Sequence, residues 1–206
     1  MIQTFLWVEN IHSTHKIKIY LIQLMKKLKS ISNLLTILTG YSLLILSFSI
    51  VLEIFLRAVF NFSMQGVDEY GGYVVAILVA FGISQNVLLR GHIRIDFFFE
   101  KLNFKFQAYL NLLTYFLFFI FSYFFLFRSV GTLRDSITYK SLSGTPLETP
   151  LWAPQFIWVL GLSFFVITST IVFFYAIKAF SKNKILFNEE YGPPSINQKV
   201  IKKDYD

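Results

Sequence analysis

The chain contains no cysteine, which removes disulfide bonds, thiolate metal sites and iron–sulfur chemistry together. Histidine is nearly as scarce. His12, His15 and His92 all stand outside the long apolar runs, so haem held by histidine pairs on spanning helices is excluded. Also missing is any charge in the middle of those runs, where a proton relay or a self-sufficient ion-coupled carrier needs one. No His-Glu metal spacing, nucleophile elbow or phosphate-cradling glycine loop occurs. Accordingly no catalytic residue, metal site, substrate site or cofactor is expected.

What is present is apolar. Hydrophobic residues make up 55% of the 206, 25 of them Phe, and mean hydropathy is +0.57, which leaves little for a separate soluble domain. Four uncharged runs dominate: 31–52, 70–89, 106–127 and 149–177. A hydrocarbon core of roughly 30 Å takes about 20 helical residues, so each run is long enough to cross it. None carries a polar face that continues along the run, as a soluble helix would. The expected fold is all-α, an integral membrane protein with four transmembrane helices. Residues 1–30 read as a basic leader, 31–180 as the membrane domain and 181–206 as a flexible tail with no apolar period. No small-residue cleavage site follows the first run, which reads as a retained helix and not a removed signal.

The net charge of +7 lies beside the ends of the runs, which argues for topology signals and membrane lipids and against nucleic acid. Lys16, Lys18, Lys26, Lys27 and Lys29 precede the first helix. Arg90, Arg94, Lys101 and Lys105 lie between the second and third, and Lys178, Lys182 and Lys184 follow the fourth. The opposite side has Arg57, Arg128, Arg134 and Lys140, so both termini and the middle loop are expected in the cytoplasm. Within the leader, Ile17, Leu21, Leu24 and Leu28 fall at helical spacing, which suits a basic amphipathic helix on the inner leaflet. An unstructured leader, or an extension ahead of a start at Met25, fits the same residues. Outside the membrane, 61–67 reads as a short turn and 128–148 as a longer polar loop broken by Gly131, Gly144 and Pro146. Pro150 and Pro154 suit the entry to the fourth helix, and Trp152 and Trp158 an aromatic belt.

Three groups of residues are candidates for a role. Glu53 and Arg57 stand in the favourable order for a helical ion pair at the outer end of the first helix. Asp68 and Glu69 open the second, either as caps or as the completion of a charge cluster with Arg57. Gly72, Ala76, Ala80 and Ser84 form a stripe of small side chains along that helix, which lets a neighbour approach closely, either within the subunit or from a partner. In the connection that follows, Arg90, Gly91, His92, Ile93, Arg94, Ile95 and Asp96 make the most distinctive string, with the arginines placed for lipid headgroups. The Phe residues of the third helix cover several faces, so some must meet lipid or another subunit.

From Glu53 to Leu102 the chain resembles the small membrane subunit of TRAP (tripartite ATP-independent periplasmic) transporters, the DctQ or SiaQ type. The features that carry the likeness are Glu53-Ile54-Phe55-Leu56-Arg57 closing helix one, Asp68-Glu69 opening helix two, Gly82 within it, and Gly91-His92-Ile93-Arg94-Ile95-Asp96 after it. The resemblance implies a multi-pass protein of the bacterial inner membrane. Its expected partners are a large membrane subunit of DctM type, which moves an organic anion (a carboxylate or sugar acid) inward with sodium, and a periplasmic binding protein of DctP type. The small subunit would brace the large one and touch neither substrate nor sodium. The competing expectation is a self-contained small carrier or channel, for which Gln85 and Asn86 are the nearest polar residues to mid-membrane.

Overall fold

The computed structural model describes residues 2–89, 102–182, 184 and 187, with 2–22, 104 and 105 described by backbone alone. Four helices account for most of them: α1 (Ile2–Phe60), α2 (Val67–Leu89), α3 (Phe104–Thr138) and α4 (Trp152–Lys182). All four carry an uncharged window long and apolar enough to cross a membrane. The only pairing of extended backbone among the described residues is one bridge between Leu142 and Pro150. The all-α membrane fold expected from composition is the fold observed.

Helix boundaries follow local chemistry more than hydropathy. α1 is unbroken from Ile2, so the basic leader and the first span are one element, and residue 30 marks a change of composition alone. It ends where Asn61 takes a left-handed φ of 51°. α3 runs eleven residues past the expected boundary at Phe127, through Arg128, Gly131 and Asp135. Those residues were expected in the loop because the apolar run stops there. Ser129 and Ser136 are buried along the helix, and this packing carries it onward. It closes in a Schellman motif: Ser141 N–H donates to Ser136 O at 3.0 Å, Lys140 N–H to Ile137 O at 3.4 Å, and Lys140 has φ 49°. α4 begins as expected, with Pro154 in its first turn where a missing N–H has no consequence.

The helices stand in a row. α1 packs chiefly on α2, α2 also on α4, and α4 also on α3, so α4 is the most enclosed of the spans. Buried positions recur every seventh residue. α1 buries Ser32, Thr39, Leu46 and Glu53, and α3 buries Ala108, Tyr115, Ser122, Ser129 and Ser136. A seven-residue period keeps one seam facing a neighbour as two helices coil left-handedly. These seams correct the expectation that no polar face continues along a run. Small and polar residues do continue along narrow seams, interrupted by Leu46 on α1 and Tyr115 on α3. The α3–α4 seam closes directly, with Ser122 Oγ 2.7 Å from Ser169 Oγ in the interior.

Large apolar side chains face outward instead, among them Phe48 on α1 and Phe124 and Phe127 on α3. Phe118, also on α3, is instead partly buried against the core. That core gathers Leu28, Val87, Leu88, Tyr115, Phe165 and Val172. Phe187, within the segment expected to be a flexible tail, is buried in it too, and Lys184 Nζ donates to Tyr109 Oη at 2.8 Å.

Candidate functional site

At the end where both described connections lie, two buried carboxylates each hold a loop. Glu53 lies one heptad beyond Leu46 on the α1 seam, which turns it toward α2 and leaves it 5% exposed. Arg57, one turn later, donates to its Oε1 from Nε at 3.2 Å and from Nη2 at 2.5 Å. The pair is one-sided, because the arginine side chain is 62% exposed and stays solvated beyond the contact. Past the end of α1 the chain doubles back over the same carboxylate. Ser63 Oγ donates to Oε1 at 2.8 Å, and Met64 N–H donates to Oε2 at 2.5 Å. Glu53 is thus the acceptor around which the 61–66 turn is built.

Glu69 does the same for the longer loop. It sits in the first turn of α2 and is buried. Tyr73 Oη donates to its Oε1 at 2.7 Å and Thr145 Oγ1 to its Oε2. Thr145 is held in turn by Ser143 Oγ at 2.9 Å, and Thr149 N–H donates to Ser143 Oγ at 3.0 Å. The loop is therefore a short hairpin tied to α2 through one carboxylate. A second contact joins the two loops directly. Gly66 has φ +98°, and Leu147 occupies the place where a Cβ would stand. Only glycine meets both conditions at low cost.

Asp68 is exposed and makes no contact ion pair with Arg57, although its charge acts on that guanidinium, whereas Glu69 faces away from it; among the described residues Glu53–Arg57 is the ion pair in direct contact. The reason is that Glu69 turns toward the 139–151 loop, whose hydroxyls take up its oxygens.

The small-residue stripe divides as well. Ala80 and Ser84 are fully buried, Ala76 is half-buried, and Gly72 borders open space. Ala80 meets Gly161 of α4 so closely that a Cβ added to Gly161 would lie 2.8 Å from the Ala80 Cβ. The inner half of the stripe therefore packs within the chain. Arg90, Gly91, His92, Arg94 and Asp96 lie outside the described residues.

Sequence reasoning missed Ser63, Tyr73, Ser143, Thr145 and Gly161. Hydroxyls in loops are too common to carry a signal, and Gly161 acquires its role only from the helix it meets. The chemistry of the whole site is hydrogen-bond acceptance by fixed carboxylates, which positions loops. Among the described residues no three His, Cys, Asp or Glu side chains come together as a metal site would require.

No curated protein matches the chain. A family model does: residues 46–179, well over half the chain, match tripartite ATP-independent periplasmic transporters, DctQ component. The match reaches far beyond the fifty residues on which the resemblance was first drawn. It takes in Glu53, Glu69, both loops they hold and the Ala80–Gly161 contact, and it describes a transporter component and not an enzyme. With four membrane-crossing helices around those features, this chain belongs to the DctQ family as a small membrane subunit of a TRAP transporter.

Proposed function

We propose that this subunit braces the large DctM-type subunit of a sodium-coupled transporter for an organic anion, a carboxylate or sugar acid delivered by a DctP-type binding protein. It would sit in the bacterial inner membrane with both termini in the cytoplasm, the side to which its lysines and arginines fall. The observation that carries this reading is the row of helices. Among the described residues the helices pack in sequence, α1 on α2, α2 on α4 and α4 on α3, and the apolar runs hold no ionised group along which an ion or anion would move. A row also leaves large apolar side chains exposed along its helices, which suits steadying a larger membrane neighbour. In this reading Glu53, Arg57 and Glu69 keep the two periplasmic loops in fixed shape beside the other components.

Co-expression tests it. The chain should purify as a complex with its large subunit, and the large subunit made without it should fall in yield and lose uptake. A large subunit that is equally abundant and active without this chain would end the bracing proposal. Anion uptake by the chain alone in liposomes would establish a self-contained carrier.

A further inference from the structure

Buried polar atoms without a partner are rare in folded chains and costly where the surroundings are hydrocarbon. Three occur within one turn of the α1–α2 seam: Ser32 Oγ, Thr36 Oγ1 and Gln85 Oε1, each shielded from solvent and each without a hydrogen-bond partner. Their proximity follows from the register of the two helices. Glu53 meets Met64, Leu46 is the side chain nearest Gly71, and Leu28 shares a cluster with Leu88. On that antiparallel register Ser32 stands opposite Gln85. Gln85 is two heptads on from Gly71, hence on the same α1-facing side of α2, and Thr36 is one turn from Ser32. Ser84 Oγ is unpartnered as well, but it belongs with Ala80 on the stripe facing α4.

The conformation of the two hydroxyls is a second observation. Hydroxyls within a membrane helix ordinarily turn back on their own backbone. Thr39 does so on Leu35 O at 3.0 Å, Ser42 on Thr39 O at 2.7 Å, Ser47 on Leu43 O at 2.9 Å and Ser49 on Ile45 O at 2.9 Å. Ser32 and Thr36 lie in the same helix and do not. Ser32 is also fully buried, so its hydroxyl is turned into the packed side of α1.

We infer that Ser32, Thr36 and Gln85 form a binding site for an ordered water molecule between α1 and α2. Two hydroxyls that donate or accept and one amide oxygen that accepts supply about three hydrogen bonds, the usual complement of a buried water. Charge argues against a metal cation at this place. The three oxygens are neutral, Glu53, Asp68 and Glu69 lie at the far end of the seam and Glu9 roughly six turns away along α1, so an ion here would be desolvated without a counter-charge. The α1–α2 seam is then closed through water in this half, whereas the α3–α4 seam closes through the direct Ser122–Ser169 bond.

Thermal unfolding of the full chain in one detergent tests the inference, with Ser32→Ala, Thr36→Val, Gln85→Leu, their pairs and the triple variant. A shared water predicts that each single change lowers the midpoint by a few degrees, because the water and the remaining groups are left short of a partner. The triple, with nothing polar left to satisfy, should return to the wild-type midpoint or above it. Midpoints that rise with each single change would mean three unsatisfied atoms and no water. A silent Thr36→Val with two damaging partners would mean a direct Ser32–Gln85 bond. Should the variants fail to fold, a map of the wild-type chain that resolves waters decides. A peak within hydrogen-bonding reach of all three oxygens is expected. Its absence, or a midpoint that shifts when choline replaces sodium, would overturn the assignment.

Discussion

Glu69 and Glu53 occupy equivalent places: each is a carboxylate at a helix end, buried, with a loop wrapped onto it. Their value lies in the donors they satisfy and not in their charge alone. Glu69→Ala leaves the Tyr73 and Thr145 hydroxyls without their acceptor, so the 139–151 loop should loosen and become open to limited proteolysis, with a thermal midpoint several degrees lower. Glu69→Gln keeps one acceptor oxygen and should be milder in both measurements. Equal protease resistance in all three proteins would show that Glu69 does not hold the loop. Gly66→Ala attacks the same clasp from the backbone side. It asks alanine to adopt a left-handed φ, at about 1–2 kcal/mol, and in addition displaces Leu147. Chemical denaturation should therefore report a loss at least that large.

At the scale of helices, close approach and helix ends make separate predictions. Gly161→Leu pushes α4 off the backbone of Ala80 and should cost about 1–3 kcal/mol or prevent folding, whereas Gly72→Leu enters open space and should leave the isolated subunit's stability unchanged. Lys140 ends α3 in a left-handed conformation that glycine adopts freely, so Lys140→Gly should stabilise by about 1 kcal/mol. Thermal shift of the purified subunit checks all three.

The same scale shows what a sequence conveys. Number and order of the spans were legible, because twenty apolar residues have few other uses. The proline start of α4 and the Glu53–Arg57 pair were legible too, since both depend on neighbours within one turn. The true end of α3 was not, because Ser129 and Ser136 continue the helix through burial on another helix. Nor were the seven-residue seams, in which several serines and threonines stand inside while many phenylalanines of α3 stand outside. The eye trained on soluble helices reads that pattern inverted. Thr145 on Glu69 links residues 76 apart, and no local spacing announces it.

At the scale of the whole molecule, one row of helices with fastened loops and uncharged apolar runs is what the bracing proposal rests on. Reporter fusions at Lys29 and Lys184 should read cytoplasm and those at Ser63 and Ser143 periplasm, following the asymmetry of positive charge. The most direct test of the bracing role is sodium-driven anion uptake into vesicles that contain this chain, the large subunit and the binding protein, with assembled complex measured in the same vesicles. If the chain is a brace, uptake needs all three components. Glu69→Ala should then reduce uptake in proportion to assembled complex, while the sodium dependence per complex keeps its shape. Uptake by this chain without the large subunit, or an altered sodium dependence in fully assembled Glu69→Ala complexes, would contradict it.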